Sequence, residues 1–287
     1  MSVINTNVSA MYSQNAMKTN ARAMNTAMEQ LSTGTRVNSA KDDAAGLAIG
    51  QNMTSQIRGL NQAVRNLNDG INMMQTAEGA MVEQSNMLQR MRELAVQSMN
   101  GTYSNTQRGY LDKEFQALTS QIGRIASDTK WNDQTLLNKT AGASGTFTYQ
   151  AGQSSGQIIT VSIGKMTVSG LNLAAVVASS GVTAVNAVAI SSLTTATNAL
   201  TRISSALETI NSQRAVIGAG INRMEYAGDN LTNIASNATQ SRSTIMDTDY
   251  AVATTQLAKT QIIQQAATAM LAQANQQPQS VMALLKG

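Results

Sequence analysis

The chain of 287 residues contains no cysteine and no histidine. Without histidine it cannot build a Ser-His-Asp triad or the paired histidines of an HExxH zinc site. Without cysteine it can form no disulfide, no thiolate nucleophile and no cysteine-ligated zinc cluster. The sequence therefore predicts no catalytic residue, no cofactor and no metal site.

Aromatic residues, charges and proline are also scarce. Aromatics make up 3% of the chain, charged residues 13%, and Pro278 is the single proline. Because aromatic side chains usually fill a thick core, this composition favours thin layers of packed helices. The net charge of +4 comes from scattered lysines and arginines, which argues against a nucleic-acid partner.

Neither a Sec-type signal peptide nor a membrane span is expected. The first residues lack a basic segment followed by an apolar one, and no run of 18 apolar residues occurs. Composition alone thus predicts a soluble cytoplasmic protein without membrane insertion, an expectation that the motifs described below replace.

Apolar residues recur with helical spacing over most of the chain. Alternating steps of four and three residues from Met53 reach Met74 without a polar position, and the pattern continues to Leu94. This period predicts a helix of about 45–50 residues. A second helix is predicted around Leu111–Ile125, and another very long one from Leu193 to Ala238.

Both ends of the chain carry narrower apolar seams that are rich in alanine and methionine. Such helices bury too little apolar surface as an isolated pair to offset their ordering entropy, so we expect them to pair and to pack against further copies of the chain. The residues predicted to mediate this polymerisation are Ile4, Val8, Met11, Met24, Leu31, Ile263, Met270, Val281 and Leu284.

Glycine, serine and threonine become more frequent between the long helices. The alternating segments Thr146–Gln150 and Gln157–Ile163 predict a β-hairpin there. The predicted fold is mainly α: long antiparallel helices form a coiled-coil-like bundle with a small β-hairpin insert, and the terminal helices pair. The predicted domains are the terminal helices (1–40 and 245–287), the long-helix bundle (41–140 and 190–244) and a small variable insert (141–189).

Three short motifs predict helix ends rather than chemistry. Ser39–Asp42 fits a capping box for a helix that starts near Ala40, and Asp247–Asp249 fits the cap of the last helix. The alternative is a paired-carboxylate acid/base site at the first place and a metal site at the second. Gly34 suits the position just after the end of the first helix.

Longer motifs resemble a known family. The segment Leu31–Ile49 (LSTGTRVNSAKDDAAGLAI) and the opening Val3–Val8 are similar to the N-terminal signatures of bacterial flagellins. Arg90–Ser98 resembles a segment of their long N-terminal helix, and Gln261–Ala266 and Leu271–Gln276 resemble their C-terminal helix. The resemblance covers about residues 1–140 and 190–287. The short central segment suggests that the large outer domains of many flagellins are absent.

The resemblance implies a structural subunit that polymerises into the helical flagellar filament for swimming motility. It further implies unfolded export through the flagellar type III pathway and a secreted, extracellular location. The implied partners are copies of the chain itself, an export chaperone on the C-terminal helix, and the filament cap and hook-associated proteins. Some flagellins carry a metallopeptidase in the central region, but a chain without histidine cannot, so no enzyme activity is expected.

The family's contact region for vertebrate Toll-like receptor 5 corresponds here to Gln89, Arg90, Leu94 and Glu114. The resemblance thus implies a receptor contact on the long N-terminal helix and the helix beside it. The alternative is that Arg90 is a solvated side chain and that Leu94 packs against a neighbouring helix.

Two other structural functions remain open at this point. A hook–filament junction protein would share the terminal seams but lack this run of motifs. A generic coiled-coil scaffold would carry charged residues beside its apolar seam, which this chain largely lacks.

Overall fold

A computed structural model describes residues 6–140, 142, 144–176 and 185–285, with side chains for all of these except 175–176, 185–187 and 277–285. Five helices and six short strands follow one another in the described residues. In chain order they are α1 (Val8–Thr33), α2 (Ala44–Ser98), α3 (Asn105–Asp128), β1 (Lys130–Trp131), β2 (Gln134–Thr135), β3 (Thr146–Gln150), β4 (Ile158–Ser162), β5 (Ala174–Val176), β6 (Val185–Ala187), α4 (Leu193–Met246) and α5 (Tyr250–Leu285).

The chain divides into two compact units. The terminal unit comprises Met1–Ile57 and Ser236–Gly287, and the bundle unit comprises Arg58–Ala235. The division falls within α2 and α4, so each of these helices contributes residues to both units.

The bundle unit has a continuous apolar core along its helices. On α4, every seventh residue from Ala196 to Leu231 is buried, as the apolar period predicted. On α2, Leu67, Met74 and Leu88 from the predicted seam are likewise buried. Methionines and alanines supply much of this core, which explains how a chain with so few aromatic residues can fill it. The mainly helical fold class is confirmed.

Local hydrogen bonds fix the helix ends. Gly34 ends α1 with φ 72°, and its N–H donates to the carbonyl of Gln30, as predicted. Asp249 accepts from the backbone N–H groups of Ala251 and Val252 at the start of α5. The capping box predicted for Ser39 is wrong in position. Ser39 and Asp42 instead close a turn before α2.

Asp43 caps α2. Its Oδ1 accepts from the N–H of Gly46 at 2.8 Å, so the helix begins at Ala44 rather than near Ala40. In the preceding turn, hydrogen bonds from the Ser39 hydroxyl and backbone N–H hold the pKa of Asp42 below its usual value. Both carboxylates therefore serve local backbone structure.

Among the described residues between α3 and α4, the strands form three two-stranded antiparallel ladders. The predicted hairpin is confirmed as β3 and β4, in which Thr146 pairs with Ser162 and Gln150 with Ile158. The β1–β2 and β5–β6 ladders were not predicted, because strands of two or three residues are too short to show a periodic pattern.

Two glycines on α2 differ sharply in their surroundings, which yields a stability prediction. A Cβ at Gly70 would lie 2.8 Å from Cδ1 of Tyr149 and 3.0 Å from Sδ of Met224, whereas a Cβ at Gly79 would meet nothing within 4 Å. Gly70→Ala should therefore destabilise the bundle unit by about 1–3 kcal/mol through overpacking. Gly79→Ala should stabilise it by up to about 1 kcal/mol through helix propensity. Denaturant unfolding followed by circular dichroism measures both changes, and equal effects at the two glycines would contradict the close packing of the hairpin on α2.

The terminal unit contains an antiparallel pair of α1 and α5, which confirms that the ends of the chain pair with each other. The contact face agrees with the predicted seam of α1 in part. Ala10, Asn20 and Ala27 are the buried residues of α1, and Met17, Met24 and Leu31 of the seam are half-buried beside them, whereas Met28 of the seam is exposed. Small side chains thus lie deepest in the contact, and larger apolar side chains lie at its edge.

Candidate functional site

The outer surface of the helix pair in the terminal unit carries exposed apolar side chains. Met11 is 55% exposed and Met270 is 66% exposed, and Val8 and Ile263 are also exposed. All four are among the residues predicted to mediate polymerisation. Hydrophobic side chains exposed together in this way are typical of a protein–protein contact surface.

The remaining predicted polymerisation residues divide into two groups. Met24 and Leu31 are half-buried on α1. Ile4 lies outside the described residues, as do the side chains of Val281 and Leu284.

The set of residues predicted to mediate polymerisation omits further exposed apolar residues of the same unit. They include Met28, Val252 and Ile262. In a helix where alanine, methionine and isoleucine occur on several faces, the apolar period does not show which face turns outward. The exposed apolar surface is thus larger than the predicted set, and packing among the described residues leaves it open to solvent.

A charged cluster in the bundle unit joins α2 to α3. The Arg90 guanidinium donates to Glu114 through Nε at 3.0 Å and to Glu93 through Nη1 at 2.9 Å. These hydrogen bonds, to Glu93 first and then to Glu114, raise the pKa of Arg90. About half or more of each of the three side chains is exposed to solvent. The cluster therefore contributes little to stability and remains accessible for recognition.

The structure leaves three of the four predicted receptor-contact residues exposed and buries the fourth. Gln89 and Arg90 are exposed on α2, and Glu114 is exposed on α3. Leu94 is only 1% exposed and belongs to the core cluster. Its side chain therefore packs inside the bundle unit, as in the alternative that the sequence left open.

A groove of about 820 Å³ runs beside this cluster between α2 and α4. Val96 and Leu207 supply its apolar part, and Arg92 and Arg214 its positive charge. Arg214 forms an ion pair with Glu78 at 3.4 Å. The groove is wide open and mixed in polarity, so it suits a macromolecular contact better than an enclosed small-molecule site.

The described residues contain neither a candidate metal site nor a candidate membrane-spanning helix. No group of three or more histidine, cysteine, aspartate or glutamate side chains is arranged to hold a metal ion in that part of the chain. Within the same residues, no helix combines the length and apolarity needed to cross a membrane.

The fold and its surface are those of a structural protein that assembles through helix packing. The features that define this class are the long helices, the core of small and flexible side chains, and the exposed apolar residues of the helix pair. The particular family follows from comparison with known proteins.

Residues 4–142 match the family model of the bacterial flagellin N-terminal helical region, and residues 200–285 match that of the bacterial flagellin C-terminal helical region. A flagellin of Halalkalibacterium halodurans is 43% identical, with 99% of this chain and 100% of that protein covered. Flagellin A of Vibrio anguillarum is 36% identical, with 99% of each chain covered. The crystal structure of Bacillus cereus flagellin is 29% identical and covers 61% of this chain and 94% of that chain, with a TM-score of 0.48.

The chain therefore belongs to the bacterial flagellin family, as a short form without large outer domains. Its function is that of a structural subunit of the flagellar filament, and the family is one of structural proteins. These matches favour the filament subunit over the junction-protein and scaffold alternatives.

Proposed function

We propose that the terminal helices, residues 1–40 and 245–287, form the inner layer of the filament and supply its main subunit contacts. In this proposal, residues 41–140 and 190–244 form the surrounding bundle domain, and 141–189 form a small variable insert. The observation that carries it is the set of apolar side chains exposed on α1 and α5, including Met11 and Met270, which the described part of the chain leaves open to solvent.

Each proposed contact residue gains when a neighbouring subunit covers it. Burying apolar surface is worth about 25 cal/mol per Å², so several methionine and isoleucine side chains per subunit provide a substantial driving force. The proposed set keeps Ile4, Val8, Met11, Met24, Leu31, Ile263, Met270, Val281 and Leu284. The three exposed residues noted above, Met28, Val252 and Ile262, join it on the same grounds.

A polarity-sensitive dye tests this arrangement. Because the chain lacks cysteine, Met11→Cys provides a single labelling site. The dye emission should shift to the blue when labelled subunits polymerise, since the site leaves water. The matched control is Ser155→Cys, an exposed position in the β3–β4 turn, where polymerisation should leave the emission unchanged. An unchanged spectrum at Met11 would contradict the proposed inner layer.

The proposal extends to the route and the partners of the subunit. An unfolded chain would leave through the flagellar type III channel, bound beforehand at its C-terminal helix by an export chaperone, and would fold in the extracellular filament beneath the cap and beyond the hook-associated proteins. The absence of disulfides and the single proline support this route, because neither reshuffling nor slow isomerisation would then delay folding at the tip. No enzyme activity is part of the proposed function.

The proposal also includes recognition by Toll-like receptor 5 through Gln89, Arg90 and Glu114. Glu93 and Glu114 hold the Arg90 guanidinium in one orientation, so less side-chain entropy is lost when a partner binds it. Leu94 does not contact the receptor in this proposal. Its buried side chain instead positions the helix that presents Arg90. The groove between α2 and α4 lies next to this surface and offers room for a receptor loop.

Arg90→Ala should weaken activation of a receptor-expressing reporter cell by purified monomer roughly tenfold or more, as expected for a buried arginine in an interface. Circular dichroism should be unchanged, because the side chain is exposed in the free chain. Arg65→Ala, an exposed arginine on the same helix, serves as the control and should keep full activity. An inactive parent monomer, or equal activity of both variants and parent, would argue against this receptor surface.

A further inference from the structure

The α5 side of its contact with α1 carries a line of small residues at heptad spacing. Along this line, Ala253 and Thr260 are buried, and Ala267 and Ala274 are half-buried. Moving α1 by one heptad would place Ala253 or Ala267, again a small side chain, where Thr260 now lies. Apolar packing alone therefore distinguishes poorly between the observed pairing and shifted ones.

One polar residue interrupts this face. Asn20 is 8% exposed, and its side-chain Nδ2 donates to the carbonyl of Thr260 at 2.8 Å and to Oε1 of Gln264 at 3.2 Å. A buried amide is unfavourable unless its hydrogen bonds are made, so its surroundings matter more than those of an alanine.

The residues one heptad away from Gln264 cannot replace it. They are Leu257 and Leu271, which are half-buried on the same stripe of α5. A shift by one heptad in either direction would place the amide of Asn20 against a leucine side chain. Only the observed register brings the two amides together.

Two further contacts belong to the same register. Nδ2 of Asn7 donates to the carbonyl of Ala274 at 2.8 Å, and the Tyr250 hydroxyl donates to the carbonyl of Leu31 at 3.1 Å. The number of residues between successive contacts on α1 equals the number between their partners on α5, to within one residue, and the partners run in the opposite direction. Both acceptors are backbone carbonyls, which a shifted pair would also offer, so the contact between the side chains of Asn20 and Gln264 is the one that distinguishes this register.

The connecting segments hold only one end of the pair. The N–H of Arg36 donates to the carbonyl of Met246, and the N–H of Thr248 donates to the carbonyl of Gly34. These bonds act within one chain and do not prevent α1 from pairing with α5 of another copy, in any register, when subunits are crowded. Along the rest of the pair, discrimination against such pairing depends on the helix faces.

We propose that Asn20, through Gln264, is a specificity-determining residue that directs α1 to α5 of its own chain in this one register during assembly. This role goes beyond the subunit contacts proposed above, because it concerns the choice of helix partner and not the outer surface. A single buried asparagine can specify register in a helix pair at some expense of stability.

Disulfide trapping tests the proposal in the full-length chain, which has no cysteine of its own. The register places Ala27 opposite Ala253, both buried, so a chain carrying Ala27→Cys and Ala253→Cys reports correct pairing within one chain. Shifted pairing between copies is reported by mixing an Ala27→Cys chain with a Thr260→Cys chain that bears a size tag. Both are oxidised after polymerisation, or at the same concentration without it, and separated on a non-reducing gel.

The parent sequence should give the intrachain disulfide and few mixed dimers. Asn20→Leu should raise the yield of mixed dimers about tenfold, the change expected from losing one ordinary hydrogen bond, without lowering the melting temperature. Asn20→Ala, which adds no volume, should raise it similarly even if leucine disturbs folding. Asn25→Leu, on the exposed side of α1, is the matched control and should behave as the parent.

Two results would overturn the assignment. One is a parent chain that forms no intrachain disulfide, because the two alanines would then not face each other. The other is an unchanged yield of mixed dimers in both Asn20 variants, because the connecting segments would then suffice to select the partner.

Discussion

Removal of residues Asp249–Gly287 is expected to abolish filament formation and leave a folded, helical monomer. The deletion takes away α5, and with it the helix against which Ala10 and Ala27 of α1 are buried. It also removes the exposed residues Ile263 and Met270 from the proposed contact surface. The core cluster of the bundle unit contains none of the deleted residues, so its folding should not depend on them.

Four measurements check this outcome. Sedimentation and electron microscopy should detect no polymer, thermal melting should remain cooperative, and circular dichroism should lose no more helix than α1 and α5 contain together. When mixed with the full-length chain, the truncated chain should stay in the supernatant. Long filaments made from the truncated chain alone would refute the assignment of the subunit contacts to the terminal helices.

The helices of the bundle unit could be predicted from the sequence because each of them buries a wide face. On α4, the apolar residues at heptad spacing continue from Ala196 to Leu231 without a polar one, and every one is buried. Over that length, chance variation at single positions does not obscure the helical period.

The contact face of the terminal pair could not be predicted in the same way. On α1, the apolar period runs through Met17, Met24 and Leu31, which are half-buried, whereas Asn20 and Ala27 beside them are buried. Which of these neighbouring positions lies deepest depends on how closely the two helices approach, and that is a property of the pair. The signal that could have found the centre of the face is Asn20, a polar residue at heptad distance from Ala27.

At the candidate receptor surface, the resemblance to flagellins predicted which residues take part but not which of them are buried. Shared motifs placed Arg90 and Glu114 in one site, and the structure joins them in an ion pair. The same motifs placed Leu94 beside them, although its side chain is buried. A motif conveys which residues stand at matching positions, whereas burial depends on how α2 packs in this chain.

A charge at Met270 is expected to affect assembly of the subunits without affecting folding of the monomer. Met270→Asp should leave the monomer's melting temperature unchanged, because the side chain is 66% exposed before assembly. In the filament the same carboxylate would be covered by a neighbouring subunit at a cost of about 3 kcal/mol or more. The critical concentration for polymerisation should then rise roughly a hundredfold, since each 1.4 kcal/mol is a factor of ten.

Two matched variants show whether this effect arises between subunits. Met270→Leu keeps the apolar surface and should polymerise normally. Ala253→Asp places the same charge at a buried position of the α1–α5 pair, so it should reduce both the helicity of the terminal unit and polymerisation. If Met270→Asp polymerised at the parent's critical concentration while Ala253→Asp did not, the pairing of the helices would matter for assembly, but the outer face of α5 at Met270 would remain in water in the filament.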